Sequence, residues 1–165
     1  MLALMSVENV RNHLRPFGKA EQIIEFEDSS ATVELAAEKV GTEPARIAKT
    51  LAYYDPEAPD RAVLVVAAGD SRMHNGSFKR IFGGKPRMLA AEDVLPLTGY
   101  PAGGVCPFGN PVGTRVYLDE SLKRFDVVYP AAGSARSAVP MALDELERCS
   151  GALGWVAVTK LPEGE

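Results

Sequence analysis

The residues best suited to chemistry fall in one stretch, Gly99-Tyr100-Pro101-Ala102-Gly103-Gly104-Val105-Cys106-Pro107-Phe108-Gly109. Adjacent glycines let backbone N–H groups approach a ligand closely and permit the positive φ values that aim them inward. Flanking prolines restrict the loop, so its donors are ordered before a ligand arrives. No Gly-Lys-Ser/Thr follows, which excludes a Walker loop, and the glycine spacing is not a dinucleotide fingerprint. Composition leaves a structural turn and a binding loop as equal readings. Cys106 raises a second chemistry, a thiolate nucleophile paired with His74; against it, a cysteine in a tight apolar turn is usually a small packed side chain. Asp119 and Glu120 could work as an acid/base pair or cap a turn. Trp155, Phe78 and Phe82 could stack on unpaired bases or fill a core.

Cys106, Cys149, His13 and His74 are scattered without metal-ligand spacing, so neither a metal nor an organic cofactor is expected. His13 reads as a surface residue of a first helix. The 165 residues carry a net charge of −4, which argues against indiscriminate nucleic-acid binding. Residues 70–90 reverse that balance: Arg72, Lys79, Arg80, Lys85 and Arg87 face Asp70 alone, a local +4. A solvated surface and a polyanion-binding face both fit, and only the second makes affinity fall steeply with salt.

These residues need a scaffold, and the composition allows one. Apolar residues make up 46% and charged residues 24%, which excludes a disordered chain. The longest strongly apolar run, residues 62–69, is far short of the roughly 20 residues of a membrane span. One domain over residues 1–165 is expected. Two unpatterned cysteines and no secretory leader point to a cytoplasmic location.

Ser6 reads as the cap of a first helix with Val7, Val10 and Leu14 on one face, limited by Pro16. Residues 22–27 read as a strand. Thr32 caps a second helix in which Val33, Ala36, Ala37 and Val40 fall at i, i+3, i+4 and i+7, stopped by Gly41. A short helix restarting at Pro44 leads into a strand through residues 50–54, and residues 61–68 form a buried valine-rich strand. Helices follow near 77–82, 91–95 and 142–148, with strands near 86–89, 114–118, 126–131 and 155–159. Residues 98–113, with five glycines and three prolines, form a long loop. The mixture without strict βαβ alternation predicts an α+β fold, with helices around a mixed, largely antiparallel sheet.

Three blocks then resemble the YbaK/ProX family of aminoacyl-tRNA deacylases, which includes the editing domain inserted in bacterial prolyl-tRNA synthetases. They are Thr32-Val33-Glu34-Leu35-Ala36-Ala37 through Ile47-Ala48-Lys49-Thr50-Leu51, the loop from Thr98 to Gly109, and Tyr117-Leu118-Asp119-Glu120 with the strand into Ala132-Gly133. The resemblance implies hydrolysis of the ester joining a wrong amino acid to tRNA. It implies Lys49 as the catalytic lysine and Phe26, Thr32, Gly103, Gly104, Val105, Cys106, Pro107, Gly133 and Ser134 as the substrate-binding set. Lys79, Arg80, Lys85 and Arg87 become candidates for the acceptor-stem phosphates. The implied partners are a mischarged tRNA, most simply tRNA(Pro) carrying cysteine, and a prolyl-tRNA synthetase, with neither membrane nor DNA. Beyond Gly133 the chain departs from the family: Ala138 and Val139 stand where an acidic residue is common. A non-catalytic tRNA-binding module of the same fold is the alternative.

Overall fold

The computed structural model describes residues 2–29 and 32–162, with side chains from Ser6 onward. Its centre is a long hairpin of β2 (Ile47–Asp55) and β3 (Ala58–Ala68). From Ala62 to Ala68 every residue of β3 is buried, because layers cover both faces of the sheet; this explains the unbroken apolar run. β5 (Arg115–Asp119) and β9 (Trp155–Val156) extend the sheet in parallel beyond β3. β6 (Val127–Pro130) adds to the other side parallel to β2, and β8 (Met141–Ala142) pairs antiparallel with β6. The order β8-β6-β2-β3-β5-β9 is thus a mixed sheet whose longest pairing is the antiparallel hairpin.

Alternation along β2 and β3 separates two cores. On one face Leu64 and Val66 pack with Val10 and Leu14 of α1 (Leu2–Leu14), Leu146 of α5 (Leu143–Ser150), and Tyr100, Cys106 and Phe108 of the glycine-rich loop. On the other, Tyr53, Val63 and Val65 pack with Phe78 and Phe82 of α3 (Asn75–Phe82) and with Val158. α2 (Val33–Val40) is built as its pattern predicts: Thr32 accepts the Leu35 N–H at 3.1 Å, and Gly41 ends it at φ +73°.

Several local expectations are corrected. α1 begins at Leu2, so Ser6 lies inside it. The first strand shrinks to β1 (Ile24–Glu25), paired with β7 (Ser137–Ala138). Residues 86–89 form no strand; Tyr53 meets Met88 in a single bridge. α4 (Ala91–Thr98) runs through Pro96, its last turn closed by Thr98 Oγ donating to the Val94 carbonyl at 2.6 Å and by Gly99 N–H donating to Leu95. The expected last strand divides into β9 and β10 (Thr159–Lys160), which pairs with β4 (Arg72–Met73). His13 is half-buried rather than on the surface: Nε2 lies 2.7 Å from the Cys149 carbonyl and the ring packs near Phe108, tying α1 to α5. No helix among the described residues is long and apolar enough to cross a membrane.

Candidate functional site

β2 pairs with β6 only through Ile47 and Ala48. Past that point a cavity of about 210 Å³ is lined by Lys49 and Thr50, by Tyr129 and Ala131 from β6 and its exit, and by Val33 and Ala36 of α2. Ile47 and Ala48 themselves, with Thr32, Gly103, Val105, Ser137 and Ala138, complete it. Its volume is below the roughly 300–1,000 Å³ of pockets for drug-sized ligands, so it suits a small group.

Lys49 is held by backbone. Its Nζ donates to the Ser71 carbonyl and, at 3.4 Å, to that of Gly69. The turn carrying these carbonyls is fixed on three sides. Ser71 Oγ donates to Ala68 at 2.7 Å, and Asp70 takes a two-pronged pair from Arg124 at 2.6 and 3.0 Å. Gly69 passes so close to Pro44 that a Cβ there would stand 2.1 Å from the Pro44 carbonyl oxygen. Burial lowers the Lys49 pKa below its ordinary value; Asp70 opposes the shift, Arg72 adds to it, and Glu34 opposes it weakly. Arg124 in turn holds the Asp70 carboxyl below the usual range.

The facing wall is a braced loop. Tyr100 donates its hydroxyl to the Phe108 carbonyl, and Asn110 Nδ2 bridges the Thr98 and Cys106 carbonyls at 2.8 and 3.0 Å. Gly103 has φ +87°, a conformation that side chains rarely adopt. Gly104 answers a different need. A Cβ on it would lie 2.5 Å from Ser134 Cα and 2.6 Å from Ser134 N, so two backbones touch there. The Gly104 N–H is spent on the Pro101 carbonyl at 3.0 Å. Behind the contact Ser137 Oγ organises the second loop, accepting from Ala132 N–H and Ser134 N–H, both at 3.2 Å, and donating to Ser134 O.

Of the residues expected at the site, Thr32, Lys49, Gly103 and Val105 stand on the cavity wall. Gly104, Gly133 and Ser134 form the contact behind it, with the Ser134 hydroxyl engaged by Ser137 Oγ and Arg136 N–H. Cys106 and Pro107 are buried behind the loop. Phe26 lies off the wall, its N–H donating to the Arg136 carbonyl at 2.7 Å. Lys79, Arg80, Lys85 and Arg87 are exposed and line none of this cavity; Arg87 lies over the Tyr54 ring. The Cys106–His74 pair is overturned. Burial pushes the Cys106 thiol up to about 12, and His74 is spent capping α3, accepting the Ser77 N–H. Both cysteines are free thiols.

Phe78 and Phe82 are core, while Trp155 lies under the Lys123 ammonium at 4.6 Å. Asp119 caps a turn and accepts from Val158 N–H and Thr159 Oγ, and Glu120 pairs with Lys123. No cluster of metal ligands occurs among the described residues. Sequence reasoning missed Ser137 and Tyr129 as wall residues. Thr50 Oγ1 is buried without a hydrogen-bond partner, which burial alone does not explain.

Comparison with known proteins places this geometry. Residues 27–149 match the aminoacyl-tRNA editing domain. The uncharacterized protein YwhH of Bacillus subtilis is 45% identical over 94% of this chain and 98% of its own length. EbsC of Enterococcus faecalis, a candidate Cys-tRNA(Pro)/Cys-tRNA(Cys) deacylase, is 26% identical over 81% of this chain and 79% of its own. The crystal structure of a candidate trans-editing enzyme for prolyl-tRNA synthetase superposes with a TM-score of 0.84 at 30% identity, covering 94% of this chain and 97% of that one. The chain therefore belongs to the aminoacyl-tRNA editing domain family, with the α+β fold of its trans-editing neighbours.

Proposed function

We propose that this editing-family member hydrolyses the ester of a mischarged tRNA in trans, with cysteine on tRNA(Pro) as the preferred substrate. The observation that carries the reading is one small cavity with Lys49 and the Gly103–Val105 loop on its walls. The aminoacyl group occupies the cavity and the ester lies between them. As the carbonyl is attacked, negative charge grows on its oxygen, and a cation with aligned backbone donors stabilises that charge. Since the Gly104 amide is committed to Pro101, Gly103 and Val105 are the loop's candidate donors. No side-chain nucleophile is invoked: water, or the substrate's own thiol, attacks, and the chain contributes orientation and electrostatics.

The preference for cysteine rests on two supports. The cavity is small, and EbsC carries the corresponding assignment in its name. A pocket that measures size separates substrates differing by one methylene by only about 1–3 kcal/mol, so alanine and serine esters compete. Lys79, Arg80, Lys85 and Arg87 form the proposed landing face for the acceptor stem, and a prolyl-tRNA synthetase is the proposed donor of the mischarged tRNA.

The test is single-turnover deacylation of tRNA(Pro) bearing cysteine, alanine, serine or proline, with Lys49→Ala beside the wild type. Rapid loss of the cysteine ester, sparing proline and abolished by the variant, is expected. Binding without hydrolysis of any ester returns the chain to the accessory-module reading. Ala138 in the cavity wall, where the family commonly carries an acid nearby, is the feature that favours that alternative.

A further inference from the structure

A second cavity, about 720 Å³, shares Lys49 as a wall with the first. Its floor is the turn from Gly69 to Ser71, and its rim is formed by Arg72 of β4 and Lys160 of β10. In the antiparallel β4–β10 pair Arg72 stands directly opposite Lys160. Directly opposed residues project to the same side of a ribbon, and like charges so placed repel. Among the described residues no carboxylate lies within ion-pair distance of either. Of the two acids on the cavity wall, Asp70 is committed to Arg124, which leaves Glu34 against Lys49, Arg72 and Lys160. Two opposed cations beside a third, facing a groove of nucleotide size, form an electrostatic arrangement that an anion completes.

We infer that Arg72 and Lys160 bind backbone phosphate of the single-stranded acceptor end, in the cavity that adjoins the aminoacyl cavity through Lys49. The assignment rests on the editing reading for the identity of the strand. It gives the substrate a direction: amino acid between α2 and the glycine loop, sugar-phosphate passing Lys49 toward the β4–β10 ribbon. The basic residues beyond β4 then continue the path outward. Arg72 falls within the basic stretch of residues 70–90 but not among its four phosphate candidates, and Lys160 lies outside that stretch altogether, reaching Arg72 only through the β4–β10 pairing.

The test measures binding of a deacylated acceptor-stem minihelix ending in CCA, by anisotropy across a salt series. A phosphate contact to a single strand contributes about 0.7 to the slope of log affinity against log salt. Arg72→Ala with Lys160→Ala is expected to weaken binding at low salt and to flatten the slope by about 1.4, two contacts at that value. Both residues are exposed, so the fold survives their truncation. Affinity and slope equal to wild type overturn the assignment, as does a wild-type protein that does not bind the minihelix. The readout is independent of turnover. A protein that binds with this slope but hydrolyses no ester keeps the phosphate site and loses the editing reading; one that hydrolyses the ester while the double variant keeps the full slope does the reverse.

Discussion

Gly104→Ala is the sharpest probe of the site, because it adds one methyl where two backbones meet. The new Cβ would lie 2.5 Å from Ser134 Cα, 2.6 Å from Ser134 N and 2.7 Å from Gly133 C. None of these atoms can rotate away. To reach an ordinary contact of 3.4 Å or more, the loops must part by about 1 Å. The loop carrying Gly103 and Val105 then withdraws from Lys49 by a comparable amount. A displacement of that size at reacting atoms costs roughly 100-fold in rate, whereas overpacking costs about 1–3 kcal/mol of stability. For a domain of this size that is about 2–12 °C in Tm. The assays are single-turnover deacylation and thermal melting of the same preparation. A variant still folded at assay temperature but about 100-fold slower is expected. Full activity in a folded variant refutes the argument that the Gly104–Ser134 contact positions the loop.

Cys106→Ala is expected to retain most deacylation activity, because the thiol is enclosed and pushed up to about 12; loss of turnover in a folded variant would restore the thiolate reading. Ser137→Ala leaves the Ala132 and Ser134 amides without their shared acceptor, at about 1–3 kcal/mol for each unsatisfied buried donor. A fall in melting temperature with a raised KM is expected, and an unchanged Tm would remove Ser137 as the organiser of that loop. Arg124→Ala releases the Asp70 carboxylate, whose folded pKa lies below its unfolded value of 3.8. The pair's stabilisation is present above that value and lost as pH falls through the folded pKa. The stability gap between wild type and variant, about 0.2–1 kcal/mol for a part-exposed pair and read as a difference in Tm, is therefore expected at pH 6 and expected to close in strong acid. A gap that persists in acid assigns the effect to packing of the arginine stem.

What the sequence made legible was what is local. α2 shows its cap, its apolar spacing and its stop within ten residues, and it folds as read. The valine-rich run of β3 announces a strand covered on both faces. The two-residue ribbons β1–β7 and β4–β10 carry no such pattern, because partners far along the chain define them. That is why Lys160 was invisible as a neighbour of Arg72, and why Ser137 could not be seen beside Lys49. Lys49 itself was legible only through family resemblance, since a lone lysine in a strand carries no signal of its own. The glycine pair was legible as a loop but not in its division of labour. Gly103 is needed for its φ and Gly104 for a contact with a loop thirty residues on.

The manner in which Lys49 is held suggests why it is a lysine and how to test its charge. A carboxylate partner would fix the ammonium but neutralise it. Here two carbonyl dipoles orient it, and the acid that acts on it most strongly, Asp70, is itself drawn off by Arg124. The charge stays available to a developing oxyanion, and burial exacts a lowered pKa. In stability terms the sign follows directly. The unfolded chain holds this proton more tightly than the fold does, so Lys49 opposes folding below its folded pKa, and the opposition fades as pH rises toward 10.5. Activity runs the other way: after subtraction of spontaneous ester hydrolysis, kcat should fall as pH rises through the folded pKa. The neighbours set where. Asp70→Asn keeps hydrogen bonding to Arg124 but removes the charge that most opposes the shift, so the alkaline limb should move to lower pH. Arg72→Ala removes a charge that adds to the shift, so its limb should move to higher pH. Opposite displacements from two neighbours of one turn identify the titrating group as Lys49; limbs moving together, or not at all, would assign the titration to the substrate amine instead.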